Sequence, residues 1–87
     1  MKPGEDIVER GINDLRTGVE TVDSLLVLIG APRLRRLGFD VPNSVVASPE
    51  HRLYQLLQRS HANAAHSKYN ALIRRLVSFE RASECAN

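Results

Sequence analysis

Seven apolar residues, Val8, Ile12, Leu15, Val19, Val22, Leu26 and Ile29, recur at alternating intervals of four and three. On an α-helix this spacing puts all of them on one edge, and an apolar edge with polar flanks is hidden only against another helix. The pattern predicts an amphipathic helix from Glu5 to Ile29, about 37 Å long. Pro3-Gly4 precedes it, and Glu5, Asp6 and Glu9 crowd its first turn, where negative charge suits the helix dipole. Gly11 and Gly18 lie one heptad apart along the edge. Each costs about 1 kcal/mol of helix stability relative to Ala, so they either mark a place where another backbone comes close or are surface glycines that the helix tolerates. A chain of 87 residues buries roughly 60% of its unfolded surface. Sharing the seam between two copies is therefore an obvious route to stability.

Gly30-Ala31-Pro32 interrupts the pattern, because proline inside a helix removes a hydrogen bond and clashes with the preceding turn. Arg33 to Gly38 reads as one or two further helical turns closed by glycine. Phe39 to Ala47 reads as a connecting loop, with Val45 and Val46 expected to tuck into the core. Ser48-Pro49-Glu50 is a helix start, with a serine N-cap, proline at the first position and an acid in the first turn. Helical composition then continues to Glu84, but its apolar phase changes. Leu53, Leu57, Ser60 and Ala64 form one stripe; Ala65, Tyr69, Leu72, Leu76, Phe79 and Ser83 form another, offset by one residue. Either one long helix with a stutter or two helices joined near His61 to His66 satisfies this pattern.

The remaining signals bound the function. One cysteine, Cys85, cannot form an intramolecular disulfide, which points to a reducing, cytoplasmic setting. The acidic amino terminus does not read as a signal peptide, and the longest aliphatic run, Leu25 to Ile29, is far short of a membrane span. His51, His61 and His66 do not have the spacing of a metal set, and no carboxylate or thiolate completes one. No motif calls for a cofactor. The net charge of +2 hides an asymmetry, since residues 1–30 are acidic and residues 31–87 basic. The two halves can attract each other within or between chains. Arg35, Arg36, Arg74 and Arg75 form a candidate basic face, but neither a recognition-helix signature nor interleaved aromatics accompanies them.

The run Leu15-Arg16-x-x-Val19-x-x-Val22-Asp23-x-x-Leu26-x-x-Ile29-x-x-x-Arg33, followed by Ser48-Pro49-Glu50-His51-Arg52 and Leu56-Leu57-Gln58-Arg59, resembles the all-helical chorismate mutases. That resemblance implies an intertwined helical dimer in which Arg16, Arg33 and Arg52 hold a dicarboxylate substrate. Ser44 stands where the family carries a lysine, and one member of its second-helix Arg-Glu pair is missing. A shorter likeness, Asp23-Ser24-Leu25 with Leu34 to Pro42, is to acyl and peptidyl carrier proteins, and implies a phosphopantetheine arm on Ser24.

The expectation is a single all-α domain over residues 1–87, a long amphipathic helix packed against a C-terminal helical half, and a homodimer with an intertwined seam. The function expected is a small cytoplasmic protein–protein interaction module, a regulator or adaptor with a protein partner. A mutase-like enzyme is the alternative, and a weak nucleic-acid binder using the basic face a further one. No membrane contact is expected.

Overall fold

The computed structural model describes residues 3–86, which fold into five helices. These are α1 (Glu5–Thr17), α2 (Val22–Ile29), α3 (Ala31–Arg36), α4 (Pro49–Ser60) and α5 (Ala65–Ala86). Among the described residues there is no strand, and no helix is long and apolar enough to cross a membrane.

The expected rod from Glu5 to Ile29 is broken in the middle, a correction with a local cause. Gly18 adopts a left-handed conformation, with φ at 76°, which costs glycine nothing and other residues a good deal. The Val19 N–H then donates to the Asp14 carbonyl at 2.9 Å, and the Gly18 N–H to that of Leu15 at 3.3 Å. This paired closure is the Schellman motif, which ends a helix by satisfying its last carbonyls. Three residues on, Thr21 caps a new helix. Its hydroxyl accepts from the Ser24 N–H at 3.1 Å, and the Ser24 hydroxyl accepts from the Thr21 N–H at 2.8 Å. That reciprocal exchange is a capping box with serine in place of the usual acid. Thr21 Oγ1 also donates to Asp14 Oδ2 at 2.6 Å, tying the two helix ends together.

The turn folds α1 back on α2, so the apolar edge is spent within the chain. Val8, Ile12 and Leu26 are buried, and Leu15, Val22 and Ile29 are half-buried. Val19, at the turn, is 49% exposed. Of the two glycines, Gly11 does mark a close approach. A Cβ built there would lie 2.4 Å from both the Asp23 carbonyl oxygen and Val27 Cγ2. Gly18 has open space around it and serves the turn instead.

α2 is the centre of the molecule. Its run of Leu25, Leu26 and Val27 is fully buried, and Val22, Leu28 and Ile29 are half-buried. A short helix apolar on every side needs neighbours all round, and α2 packs against each of the other four. α3 follows with Pro32 in its first turn, where the missing N–H is harmless. Phe39 stacks obliquely on Phe79 of α5, with ring centroids 5.3 Å apart. In the loop the expectation was half wrong: Val46 is half-buried, while Val45 is fully exposed and Val41 takes the core position. Pro49 opens α4 as expected, yet the Ser48 side chain makes no capping hydrogen bond.

Residues 49–84 form two helices, joined through His61 to Ala64. Leu53 and Leu57 carry the buried face of α4, and Leu76, Phe79 and Ser83 that of α5. Tyr54 and Tyr69 meet edge to face across them, with centroids 6.0 Å apart. The charge asymmetry is used inside the chain, where Asp6 pairs with Arg75 at 3.7 Å and Glu20 with Arg52 at 2.8 Å.

Candidate functional site

Beside the α1–α2 turn the surface holds an open apolar groove of about 460 Å³. Leu15 and Val19 form one wall, Leu25 and Leu28 from α2 the floor, and Val45 and Val46 of the loop the other wall. The local chemistry of both walls explains why the groove stays open. On one side the Gly18 closure swings Val19 out of the helix phase, so its side chain is carried to the rim rather than into the core. On the other, Arg35 of α3 holds the loop by its backbone. Its guanidinium donates to the Val41 carbonyl at 3.1 and 3.0 Å, to that of Pro42 at 3.2 Å, and to Asn43 Oδ1 at 3.3 Å. The Ser44 hydroxyl then accepts from the Val46 N–H at 3.3 Å. This two-residue turn leaves Val45 as the exposed tip, with a relative exposure of 102%.

Glu20 is the one charged side chain that lines the groove. Arg52 of α4 grips Glu20 with a fork of hydrogen bonds, Nε to both carboxylate oxygens at 3.0 and 3.1 Å and Nη2 to Oε1 at 2.8 Å. These bonds hold the Glu20 carboxyl below the usual glutamate range and raise the Arg52 guanidinium. Arg16 reaches Asp40 at 3.7 Å, with both side chains exposed.

A second, smaller cleft of about 280 Å³ lies between the α2–α3 junction and α5. Ile29, Pro32, Ile73 and Val77 supply apolar walls, Arg33 and Arg36 stand at its edge, and Glu80 lies within it. Glu80 is only 4% exposed. Burial pushes its carboxyl above the ordinary glutamate range, and the nearby Arg33 partly opposes this. Arg33 Nε donates to Glu84 Oε1 at 2.7 Å, while its Nη1 stands 3.5 Å from Glu80. The hydrogen bond lowers the Glu84 carboxyl and raises the Arg33 guanidinium.

The residues singled out in the sequence are therefore dispersed. Arg16, Arg33 and Arg52 each have a carboxylate partner; Arg33 borders the small cleft, and the other two line neither concavity. A mutase-like use of the three would require a dicarboxylate to displace Asp40, Glu84 and Glu20. The basic set is divided as well. Arg35 secures the loop, Arg75 pairs with Asp6 and Arg36 borders the cleft, while Arg74 is exposed on α5. Ser24 is 1% exposed and engaged in the capping box, so it cannot carry a phosphopantetheine arm without unmaking the α2 start. Of the seam, only Leu15 and Val19 reach the groove.

Two features escaped the sequence reading. Val45 was expected in the core beside Val46, and only the turn at Ser44 distinguishes the two. Glu80 carried a signal that was legible, since it lies in helical phase with Ile73 and Leu76 on the inner side of α5. Comparison with family models, with curated proteins and with solved structures finds no match to this chain.

Proposed function

We propose that this chain is a protein–protein interaction module, a regulator or adaptor, and that it pairs with a second copy of itself through the groove beside the α1–α2 turn. The observation that supports this reading is Val45, a fully exposed valine at the tip of a pinned loop, next to an apolar concavity of about 460 Å³. A two-fold contact brings the same patch together from both copies, so it needs a projection and a matching recess on one face. Val45 and the Leu15–Leu28 groove supply both. Each copy would place its valine in the other's groove, and the half-exposed Val19 would be covered at the same time. Fully burying one valine contributes about 1.5 kcal/mol or more, and two-fold symmetry counts it twice. The Glu20–Arg52 pairs and the Arg16–Asp40 pairs would then form the polar rim that surrounds such an apolar centre.

Sedimentation velocity over a range of concentrations tests the proposal. The wild-type chain is expected to move from monomer to dimer at micromolar concentration. Val45→Asp should remain monomeric with unchanged helical circular dichroism, because the side chain touches nothing in the monomer core. A wild-type chain that stays monomeric at the highest soluble concentration refutes the pairing.

A further inference from the structure

The cleft between the α2–α3 junction and α5 plays no part in that pairing, and its chemistry is different. Glu80 is a largely buried residue whose carboxylate makes no hydrogen bond among the described residues. Its only ion pair among the described residues is with Arg33 Nη1 at 3.5 Å, and Arg33 directs its closer bond, at 2.7 Å, to Glu84. A carboxylate withdrawn from water is stable only when cations and hydrogen-bond donors meet it. Gly30 keeps space in front of this one, since a Cβ there would lie 3.1 Å from Glu80 Oε2 and 3.0 Å from Leu76 Cδ2. Arg36, at the edge of the same cleft, forms no salt bridge among the described residues. The cleft therefore offers a carboxylate with no side-chain hydrogen bond, an arginine with no salt bridge among the described residues, and a wall of branched aliphatic side chains.

We propose that this cleft binds a hydrophobic α-amino acid, its ammonium group donating to the Glu80 carboxylate, its carboxylate on Arg36, and its side chain against Ile29, Ile73 and Val77. Charge selects that class. A volume of about 280 Å³ lies at the lower edge of ligand sites, which run to about 300–1,000 Å³. It has room for an amino acid. Glu80 and Glu84 balance Arg33 and Arg36, so the site is neutral and a zwitterion leaves it so. A plain amine gives the site a net positive charge and leaves Arg36 without a partner, and a plain acid gives it a net negative charge and leaves Glu80 without one.

The test is a heteronuclear NMR titration of the full chain with leucine, isoamylamine and isovalerate at millimolar concentrations. The amides of Gly30, Ile73 and Val77 are the reporters. Leucine is expected to shift them saturably, isoamylamine more weakly, and isovalerate not at all. Glu80→Gln should weaken leucine binding by about tenfold or more, as expected for loss of a hydrogen bond to a charged group. Arg36→Ala, an exposed position that leaves the fold undisturbed, should reduce leucine to the level of isoamylamine. The proposal is overturned if leucine leaves these amides unmoved, if its shifts centre on Val45, or if Glu80→Gln binds leucine as the wild type does.

Discussion

Gly11→Ala separates helix propensity from tertiary packing by the sign of a single measurement. Propensity alone says the change stabilises α1 by about 1 kcal/mol, because alanine loses less chain entropy in a helix than glycine does. The structure says the opposite. The new Cβ would stand 2.4 Å from the Asp23 carbonyl oxygen and from Val27 Cγ2, about 1 Å inside ordinary contact. One of those neighbours is backbone in the first turn of α2, so a rotamer change cannot relieve the overlap. α1 and α2 must instead separate, which draws Val8 and Ile12 away from Leu26 and loosens the Arg10–Asp23 bond of 3.1 Å. Overpacking typically costs about 1–3 kcal/mol and more where the backbone must shift. Taking the upper part of that range and subtracting the propensity gain leaves a net loss of about 2 kcal/mol. In a domain of this size that corresponds to a melting temperature lower by roughly 8–16 °C. Urea denaturation followed at 222 nm gives the midpoint and slope directly. Asn13→Ala, at an exposed position of the same helix, is the control and should change stability by no more than about 0.5 kcal/mol. A Gly11→Ala midpoint equal to or above that of the wild type would refute the close packing of α1 on α2.

Three further outcomes follow from the same contacts. Thr21→Ala removes the N-cap of α2 and the 2.6 Å bond to Asp14, and should cost about 1–2 kcal/mol by thermal or chemical denaturation. Ser83→Ala should raise stability by about 1 kcal/mol, since the buried Ser83 hydroxyl has no partner among the described residues and its desolvation goes unrecovered. A drop in stability would reveal a hidden partner. The pH profile should carry two opposed contributions, readable by carboxyl-detected NMR and by denaturation at each pH. Glu80 is raised by burial, so the stability it contributes is fully present below its unfolded pKa and is lost as pH rises through its folded one. Glu80→Gln should flatten that part of the profile. Glu20 and Glu84 are lowered by their arginine hydrogen bonds; their contribution is present above the unfolded pKa and is lost as pH falls through the folded values.

Local signals in the chain determined that it is helical and placed several of the helix boundaries. The Gly30-Ala31-Pro32 break, the Ser48-Pro49 start and the phase change between Ala64 and Ala65 all mark real boundaries, because caps and prolines act over three or four residues. The 4–3 seam identified a buried edge correctly for Val8, Ile12 and Leu26. It could not say whether that edge lies on one rod or on two. When a helix folds back on itself the apolar sides of both arms still face inward, so the period runs on through the turn. Gly18 and the Thr21-x-x-Ser24 capping box were the local evidence against a rod. Gly11 shows the same division from the other side. Glycine at that position fitted either a close approach or a tolerated surface site, and a hairpin whose contacts come from residues 23 and 27 decided between them. The groove and the cleft belong wholly to the tertiary structure. Each is lined by segments far apart in the chain, the groove by 15–28 and 43–46, the cleft by 29–36 and 73–80. Periodicity ranks residues by the side of the helix they face, whereas a concavity exists only where packed elements fail to fill the space between them.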